Sequence, residues 1–468
     1  MRVPHVVIVG GGFGGLWAAR ALRRAPVTVT VVDRRNHHIF QPLLYQVATA
    51  TLSPADIASP IRQVLRKQHS TEVRMGEVAD VDTARRQVVL ADGGRLDYDY
   101  LIVATGATHA YFGHPEWEPL APGLKTLEDA TEIRRRFLLA FEAAEQEQDP
   151  EERQALLTFV VIGGGATGVE MAGAMADTAR HSIARDFRHI DAAQARIILL
   201  EGGPRLLAAY PEDLSEYARE SLLLRGVEVR TGSIVTDVQP ELIRVGEEVI
   251  RTRNVVWAAG VTASPLGKRL GAPTDRVGRV QILPDLSVPE HPEIFVIGDL
   301  ANLAGADGKP LPGVAQVAMQ MGRHAAGNIV ASIEGGVRRP FRYKDKGSMA
   351  VVGRRAAVLE AGRIKLTGAL AWLGWLLIHI LFLIGFRNRM SVFTQWAWSY
   401  LTWQRSARLI TGAVGAELAP HGKPLGTPDT HQSQSGKDTD AAARQGQTAP
   451  ADHEGGWMSG DRSQAASR

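Results

Sequence analysis

The 468-residue sequence predicts an α/β fold with two similar strand–helix–strand units, followed by a C-terminal region of different character. Residues 6–9 and 159–162 are short apolar runs that end in glycine clusters, which is typical of buried strands leading into tight turns. Residues 366–386 are almost entirely apolar, with His379 as the only ionisable side chain. These observations predict two α/β units with ligand-binding turns and one region that meets an apolar environment.

The composition excludes several classes of function. Hydrophobic residues make up 45% of the chain and charged residues 22%, which is enough for a large core. The formal net charge is only +3, so bulk electrostatics predict no nucleic-acid partner. There is no cysteine, which excludes disulfides, iron–sulfur clusters and a thiol relay, and we predict no metal site. No charged segment precedes the first apolar run, so we expect no signal peptide and a cytoplasmic body.

The first unit contains the motif G-x-G-x-x-G at residues 10–15, between a strand and a helix predicted over residues 16–24. Gly10 permits a tight turn, Gly12 lets a pyrophosphate approach the backbone, and Gly15 lets the helix pack against the strand. The next strand, predicted over residues 27–32, ends at Asp33, where a carboxylate can bind a ribose. This context favours a dinucleotide site over a structural glycine turn.

The second unit repeats the motif with Gly163, Gly165 and Gly168, and its next strand, residues 196–200, ends at Glu201. The spacing between glycines and acid is longer than in the first unit, so we expect an extended helix or connection. A carboxylate at this position binds a free 2′-hydroxyl and repels a 2′-phosphate, so Glu201 favours NADH over NADPH. The nearby Arg205 weakens that preference.

Three further strands, predicted over residues 100–104, 255–259 and 294–297, run into glycine turns. Asp299, in the last of these turns, either binds ribitol hydroxyls or caps a helix. Two dinucleotide motifs in one chain indicate a flavin and a nicotinamide that exchange a hydride directly.

In this order, the segments GGGFGG, ATG, GGGATGVE and IGD resemble the two-dinucleotide-binding-domain flavoproteins. Residues 36–49 (NHHIFQPLLYQVAT), 315–320 (AQVAMQ), 343–353 and 379–389 more specifically resemble type II NADH:quinone oxidoreductases. The resemblance covers residues 3–410. It implies a Rossmann-like NADH domain (155–277) inserted in a Rossmann-like FAD domain (1–120 and 278–340), and a C-terminal helical membrane-anchoring region (341–411). The polar composition of residues 412–468 predicts a disordered tail.

The resemblance implies FAD-dependent oxidation of NADH and two-electron reduction of a membrane quinone, either ubiquinone or menaquinone, without proton pumping. A single apolar segment is also too little to build a proton channel. The implied FAD contacts are Gly10, Gly12, Phe13, Gly14, Gly15, Asp33, Arg34, Gln46, Thr49, Val78, Ala104, Thr105, Gly106, Gly298, Asp299, Ala315 and Gln316. The implied NADH contacts are Gly163, Gly165, Thr167, Gly168, Glu170, Glu201, Ala259 and Gly260.

Four residues receive catalytic roles through the resemblance, each with a simpler alternative. Glu170 would lie near the nicotinamide and the flavin; an acid in the first turn of a helix also complements the helix dipole. Gln316 and Gln320 share one helix face and would bind quinone carbonyls, although such pairs are often merely solvated. Lys346 would place a cation near the flavin pyrimidine ring, or is a surface lysine in a loop.

The apolar segment 366–386 is long enough to span a bilayer, but Gly368, Gly374 and Gly385 interrupt it. The aromatic and basic residues that follow favour the membrane interface; they are Trp396, Trp398, Tyr400, Trp403, Arg405 and Arg408. The resemblance implies a monotopic anchor on the cytoplasmic face of the cell membrane, with the lipid bilayer surface as a partner. A homodimer interface is a competing use of the same apolar surface.

Related flavoenzymes are less compatible with the sequence. Disulfide reductases and sulfide:quinone reductases need redox-active cysteines, which are absent. Ferredoxin-type reductases need no cysteine, but their function does not explain the apolar segment 366–386. A reductase of a soluble electron carrier and a membrane-tethered NADH or redox sensor remain as alternatives.

Overall fold

The computed structural model describes residues 2–306, 308–402 and 407–411, apart from the side chain of Tyr400. The predicted tail and two of the predicted interface residues, Trp403 and Arg405, lie outside the described residues. The strands are β1 His5–Val9, β2 Thr28–Asp33, β3 His37–Ile39, β4 Ala58–Pro60, β5 Thr71–Met75, β6 Val78–Asp82, β7 Gln87–Leu90, β8 Arg95–Asp97, β9 Tyr100–Val103, β10 Ala107–His109, β11 Thr158–Ile162, β12 Arg196–Leu200, β13 Val227–Arg230, β14 Val235–Gln239, β15 Leu242–Val245, β16 Glu248–Arg251, β17 Asn254–Trp257, β18 Val261–Ala263, β19 Val280–Gln281, β20 Ser287–Val288, β21 His291–Val296, β22 Ala301–Asn302, β23 Ser348–Gly353, β24 Ala356–Ala361 and β25 Ile364–Thr367.

The α-helices are α1 Phe13–Ala21, α2 Leu44–Ala48, α3 Pro54–Ile57, α4 Ile61–Leu65, α5 Leu127–Gln146, α6 Pro150–Leu156, α7 Ala166–Asp177, α8 Glu212–Leu224, α9 Ala315–Ile333, α10 Gly368–Phe382 and α11 Phe386–Thr402. Short 3₁₀ helices occupy Leu22–Arg24, Gln41–Leu43, Pro115–Trp117, Ala192–Gln194, Pro265–Leu270 and Gly298–Leu300.

The first sheet has the order β20-β21-β9-β1-β2-β5, in which β1 pairs in parallel with β2 and β9. Its central strands are rich in buried Val, Ile and Leu, as expected for a sheet that is covered on both faces. Since the central strands are parallel, the turns after β1, β2, β9 and β21 meet at one edge. That edge carries Gly10, Asp33, Ala104 and Gly298.

The second sheet has the order β13-β12-β11-β17, with all pairs parallel. Alternate residues of β11 face opposite cores: Phe159 and Val161 pack with α5 and α7, whereas Val160 and Ile162 pack with Trp257 and its neighbours. The carboxyl edge brings the second glycine turn beside Glu201. Both predicted strand–turn–helix–strand units are therefore confirmed.

The longer connection predicted in the second unit is also confirmed. Helix α7 continues into a π-helical turn, Thr178–Ser182, and an irregular segment then leads to β12. The charged run at residues 149–152, just before the second unit, begins α6. Asp149 caps that helix by accepting a hydrogen bond from the Glu151 backbone, and Pro150 occupies its first turn.

The apolar segment predicted over residues 366–386 is divided between three elements. Its first two residues belong to β25, α10 covers 15 residues, and Gly385, with φ of +92°, separates α10 from α11. A 15-residue helix is about 22 Å long, shorter than a bilayer core of about 30 Å. Within the described ranges, no helix has the length and apolar character needed to span a membrane.

Candidate functional site

A cavity of about 830 Å³ lies at the carboxyl edge of the first sheet. Thirteen of the seventeen predicted FAD contacts line it; they are Gly10, Gly12, Phe13, Gly14, Asp33, Arg34, Val78, Ala104, Thr105, Gly106, Gly298, Asp299 and Ala315. They come from turns after four different strands and from the start of α9. Distant segments of the chain thus build one elongated cavity of the size that ligand sites have.

The first glycine turn is shaped to hold a pyrophosphate. Gly10 has φ of +103°, and a Cβ there would lie 2.4 Å from the Ala104 carbonyl oxygen, so a side chain cannot be accommodated. A Cβ on Gly15 would lie 1.8 Å from the Gly10 oxygen, which explains the close packing of α1. Gly12 faces open space at the helix N-terminus, where backbone N–H groups attract anions.

Asp33 completes this turn. One carboxylate oxygen accepts a hydrogen bond from the Gly11 backbone at 2.6 Å, and the other accepts one from the Arg35 backbone at 2.8 Å. The remaining lone pairs of the carboxylate can accept ribose hydroxyls. The open glycine, the helix terminus and the fixed carboxylate together fit FAD.

Three predicted FAD contacts other than Gly15 do not line the cavity. Gln46 is buried, with its amide oxygen accepting from Trp396 Nε1 at 2.7 Å and its nitrogen donating to the Tyr45 hydroxyl at 3.0 Å. The buried Thr49 donates its hydroxyl to the Tyr45 carbonyl at 2.9 Å. Gln316 faces Gly347 instead. Their roles in binding FAD stay predictions.

The second glycine turn has the same backbone arrangement as the first. Gly163 has φ of +111°, and a Cβ on Gly168 would lie 1.8 Å from its oxygen. Glu201 accepts hydrogen bonds from the backbones of Gly164 at 2.5 Å and Gly203 at 2.6 Å, as Asp33 does with its own turn. Gly165 and Thr167 are exposed at the start of α7, and Ala259 and Gly260 follow the adjacent strand β17.

Arg205 does not pair with Glu201, although its position in the sequence suggested that it weakens the preference for NADH. Its guanidinium group donates to the Tyr210 carbonyl at 2.7 Å, the Ser215 hydroxyl at 2.5 Å and the Ala208 carbonyl at 2.8 Å. These bonds fix Arg205 within its own loop. The acidic character of the turn around Glu201 is therefore not offset by this cation.

Glu170 extends from the first part of α7 towards β23, where it accepts a hydrogen bond from the Val351 backbone at 3.3 Å. Burial raises the pKa of this carboxyl group to about 8, and the single backbone hydrogen bond only partly opposes that effect. The side chain therefore carries a proton at neutral pH. Burial and the neighbouring Glu170 and Glu360 also raise the pKa of Tyr210.

Gln316 and Gln320 of α9 form hydrogen bonds with the backbone of the segment that contains Lys346. Gln320 accepts from the Lys344 backbone N–H at 3.0 Å and donates to the carbonyl of the same residue at 2.9 Å. Gln316 donates to the Gly347 carbonyl at 3.1 Å. The structure thus brings the three predicted residues together at the start of α9, with Lys346 exposed and, among the described residues, in no ion pair.

The sequence analysis missed several polar residues that line the cavity: Arg35, His37, His38, Lys125 and Arg269. His38 is almost fully buried and donates from Nδ1 to the Gly11 carbonyl at 3.1 Å, and burial lowers its pKa to about 4. It lies within a segment that carried the family resemblance, but nothing singled it out there. Lys125 and Arg269 come from distant loops and give no local signal.

Helix α10 has an exposed apolar side. Four leucines at helical spacing are each between 56% and 69% exposed; they are Leu370, Leu373, Leu377 and Leu381. The opposite side is buried and contains Trp375 and His379, whose rings stack with centroids 4.3 Å apart. A row of exposed leucines of this kind marks a surface that meets another apolar phase.

Helix α11 has its hydrogen-bonding side turned inward. Ser391 and Gln395 donate to the buried carboxylate of Asp56 at 2.7 and 3.0 Å, and Asn388 donates to the Ala58 carbonyl at 3.1 Å. The outward side includes four exposed apolar residues, Phe386, Met390, Phe393 and Leu401. Exposed apolar side chains of this number on one helix suit an apolar or interfacial environment.

Two of the residues predicted at a membrane interface have other roles. Trp396 is buried and bonded to Gln46, because it belongs to the inward side of α11. Arg408 forms an ion pair with Asp186 and donates to the Ser182 carbonyl. Trp398 is exposed, as predicted.

Comparison with known proteins places these features in context. Residues 4–322 match the pyridine nucleotide-disulphide oxidoreductase family. The chain is 45% identical over 425 residues to the type II NADH:quinone oxidoreductase Ndh of Mycobacterium tuberculosis, an alignment that covers 88% of this chain and 91% of that protein. It is 30% identical over 407 residues to the demethylphylloquinone reductase NdbB of Synechocystis sp., covering 84% and 95% of the two proteins. The solved structure of NDH2 from Plasmodium falciparum in complex with NADH has a TM-score of 0.79 at 20% identity, covering 88% of this chain and all of that one, so the fold is shared.

Proposed function

This chain belongs to the pyridine nucleotide-disulphide oxidoreductase family and, within it, to the type II NADH:quinone oxidoreductases, and from that premise we propose how its own residues serve the reaction. The enzyme oxidises NADH with FAD as cofactor and reduces a quinone. The observation that best supports this function is the duplicated turn, in which Asp33 and Glu201 are each fixed by the adjacent glycine backbone. Two such turns provide one site for each dinucleotide.

FAD, when bound, supplies the redox chemistry by accepting a hydride from NADH and passing two electrons to the quinone. The protein binds and orients the reactants. In our proposal the turn at Gly10–Gly15 holds the FAD pyrophosphate, Asp33 holds its ribose, and Asp299, which also lines the cavity, holds ribitol hydroxyls. The turn at Gly163–Gly168 and the carboxylate of Glu201 hold NADH in the same manner.

Glu170 is suited to hold a proton near the reacting groups. Reduction of a quinone consumes two protons, and a carboxyl group with a pKa of about 8 remains protonated under neutral conditions. We assign the proton to the side-chain carboxyl, with the Val351 N–H bonded to one of its oxygens. Because no described cation pairs with Glu170, burial rather than an ion pair sets its protonation state.

Gln316 and Gln320 have a positioning role in this proposal. Their amide nitrogens already donate to backbone carbonyls of the 344–347 segment. Each amide nitrogen has a second hydrogen, which remains able to donate to a quinone carbonyl. The pair therefore sets the position of Lys346 relative to α9 and retains donors for the quinone.

We further propose that α10 and α11 attach the enzyme to a membrane surface in a monotopic manner, on the cytoplasmic side as the sequence resemblance implies. The leucine row of α10 and the apolar outer side of α11 suit a bilayer interface, where a lipophilic quinone is available. The inward hydrogen bonds of α11 hold it on the FAD-binding part of the chain. Proton pumping is not expected, since His379 is the one ionisable side chain of α10.

The test is NADH oxidation by the purified, FAD-loaded enzyme with and without a short-chain quinone, repeated with NADPH. The proposal predicts fast quinone-dependent oxidation of NADH and slow oxidation of NADPH. Reduction of bound FAD without electron transfer to the quinone would instead indicate a soluble acceptor or a sensor. Sedimentation with and without lipid vesicles separates membrane attachment from homodimer formation through the same apolar surface.

A further inference from the structure

Three helices on one side of the first sheet form a strongly basic surface. Helix α1 lies between the other two: a Cβ on Gly322 of α9 would lie 2.3 Å from the Gly14 oxygen, and Gln68, just after α4, donates to the Ala19 carbonyl at 3.0 Å. The outward side chains of this surface, which we call the arginine face, are Arg20, Arg23, Arg24, Arg62, Arg66 and Arg323.

Within the described part of the chain, no acidic side chain forms an ion pair with the arginine face. All six side chains are exposed, and none of them forms an ion pair with any described residue. Residues 13–32, 61–71 and 315–333, which contain the three helices, include no Asp or Glu. Arginines elsewhere in the chain differ: Arg219 pairs with Glu216 on α8, and Arg135 pairs with Glu132 on α5. A merely solvated face would be expected to mix charges in the same way.

The buried ring of Trp17 lies beside two residues of the arginine face, Arg20 and Arg323. The guanidinium carbon of Arg20 is 5.1 Å from its ring centroid, and that of Arg323 is 6.0 Å away. Partial burial lowers the pKa of Arg20, and the like charge of the nearby Arg323 adds to that effect. Such a pair, held beside an aromatic ring without a carboxylate, is stabilised by any anion that binds between the two groups.

The arginine face adjoins the apolar helices. Strand β4 leads directly into α4, and Asn388 of α11 donates to Ala58 and Ser59 of that strand at 3.1 and 3.3 Å. Ile384, between α10 and α11, packs against the same core as α1 and α4. Helix α11 therefore contacts the strand that leads into α4, the helix that carries Arg62 and Arg66.

We propose that the arginine face binds the phosphate groups of anionic phospholipids, with Arg20 and Arg323 flanking Trp17 as its central headgroup site. This inference rests on the proposed membrane attachment and gives it a lipid preference. Guanidinium groups bind phosphate oxygens through paired N–H donors. A bilayer that contacts the leucine row presents its headgroups to the adjoining arginines, which favours a lipid surface over a soluble anion.

The test measures binding of the FAD-loaded full chain to vesicles of phosphatidylcholine alone and of phosphatidylcholine with phosphatidylglycerol. The test variant is Arg20→Gln/Arg323→Gln. The charge-matched control is Arg219→Gln/Arg244→Gln, on the part of the chain that carries the second sheet. A third variant, Arg20→Lys/Arg323→Lys, keeps the charge.

We expect phosphatidylglycerol to strengthen binding of the unmodified enzyme, and added salt to reverse that gain. The test variant should lose about fivefold in affinity for anionic vesicles per arginine, or about thirtyfold in all. Its FAD content and its binding to neutral vesicles should stay unchanged, which excludes misfolding. The control should retain most of the gain, and the lysine variant, which keeps the charge but lacks the paired N–H donors, should retain only part of it.

Two results would overturn the inference: equal binding of the unmodified enzyme to both vesicles, or equal losses in the test and control variants. Binding to heparin as strong as binding to anionic vesicles would also overturn it, by assigning the face to a soluble polyanion. Failure to bind either kind of vesicle would instead contradict the proposed membrane attachment itself. The two proposals therefore fail in distinguishable ways.

Discussion

The choice between NADH and NADPH depends on one carboxylate, so Glu201→Gln gives a sharp test. The substitution keeps the size of the side chain and removes its charge. In the native structure both carboxylate oxygens accept backbone hydrogen bonds, which fix the charge where the ribose of the nucleotide is expected. A 2′-phosphate at contact distance, about 4 Å, would be repelled by about 2 to 4 kcal/mol at the effective dielectric constant of a protein surface.

That repulsion corresponds to a preference of about 30- to 1,000-fold for NADH in kcat/KM. In Glu201→Gln the repulsion disappears, and we expect the preference to fall to about tenfold or less. The variant should not come to prefer NADPH, because Arg205 is held by Tyr210 and Ser215 and cannot turn to the phosphate. Oxidation of NADH itself should weaken by about tenfold, since a neutral amide binds the ribose less strongly than a carboxylate.

The assay is steady-state oxidation of both nucleotides with one short-chain quinone, at equal FAD content. Glu228→Gln is the matched control, because Glu228 lies on the neighbouring strand β13 and pairs with Arg196 and Arg230. An unchanged nucleotide preference in Glu201→Gln, or the same change in the control, would refute the assignment of the ribose site.

Other predictions concern the stability of the fold and electron transfer to a membrane quinone. Between about pH 4.5 and 8 only the folded state keeps the proton on Glu170, so the unmodified enzyme should lose stability as the pH rises through this range. Glu170→Gln should abolish that loss, and melting temperatures measured across the range test this. Gly173→Ala would place a Cβ 1.7 Å from a backbone oxygen of β23 and should lower the free energy of unfolding by about 3 kcal/mol. Gly327→Ala, where a Cβ meets nothing within 4 Å, should instead raise it by about 0.5 kcal/mol in the same urea titration. Asp56→Ala leaves its two donors on α11 unpaired, so vesicle-bound oxidation of NADH with quinone should fall while oxidation with a water-soluble acceptor persists.

The nucleotide turns could be predicted because their determinants are local. A strand, three glycines, a helix and an acid occur in fixed order, and backbone geometry alone demands glycine at Gly10 and Gly163. The pairing of Asp33 and Glu201 with these turns then follows from parallel strands ending at one edge. Family resemblance was still needed to bring Gln316 and Lys346 to the same place.

The C-terminal region could not be predicted in detail because long-range contacts decide its structure. The mean hydropathy of residues 366–386 contains no information about the positive φ of Gly385. It also does not indicate that the first residues of this segment pair with a strand. Asp56 and Gln46 receive hydrogen bonds from residues more than 330 positions away. Trp396 therefore looked like an interface residue in the sequence, although α11 turns it inward.

The sequence analysis did not identify the arginine face either, although residues 13–32, 61–71 and 315–333 contain no Asp or Glu. The overall net charge of +3 conceals a basic face, because acids elsewhere in the chain balance it. Only the packing of α1 between α4 and α9 brings these arginines together.

Anaerobic single-turnover mixing of the FAD-loaded enzyme with one equivalent of NADH, followed by a quinone, tests the central claim most directly. The account predicts that NADH rapidly bleaches the absorbance of the oxidised flavin and that the quinone restores it, with NADPH much slower in the first step. Bleaching by NADH without recovery in the presence of quinone would contradict the assigned acceptor. No bleaching by NADH would contradict the assignment of the second nucleotide turn.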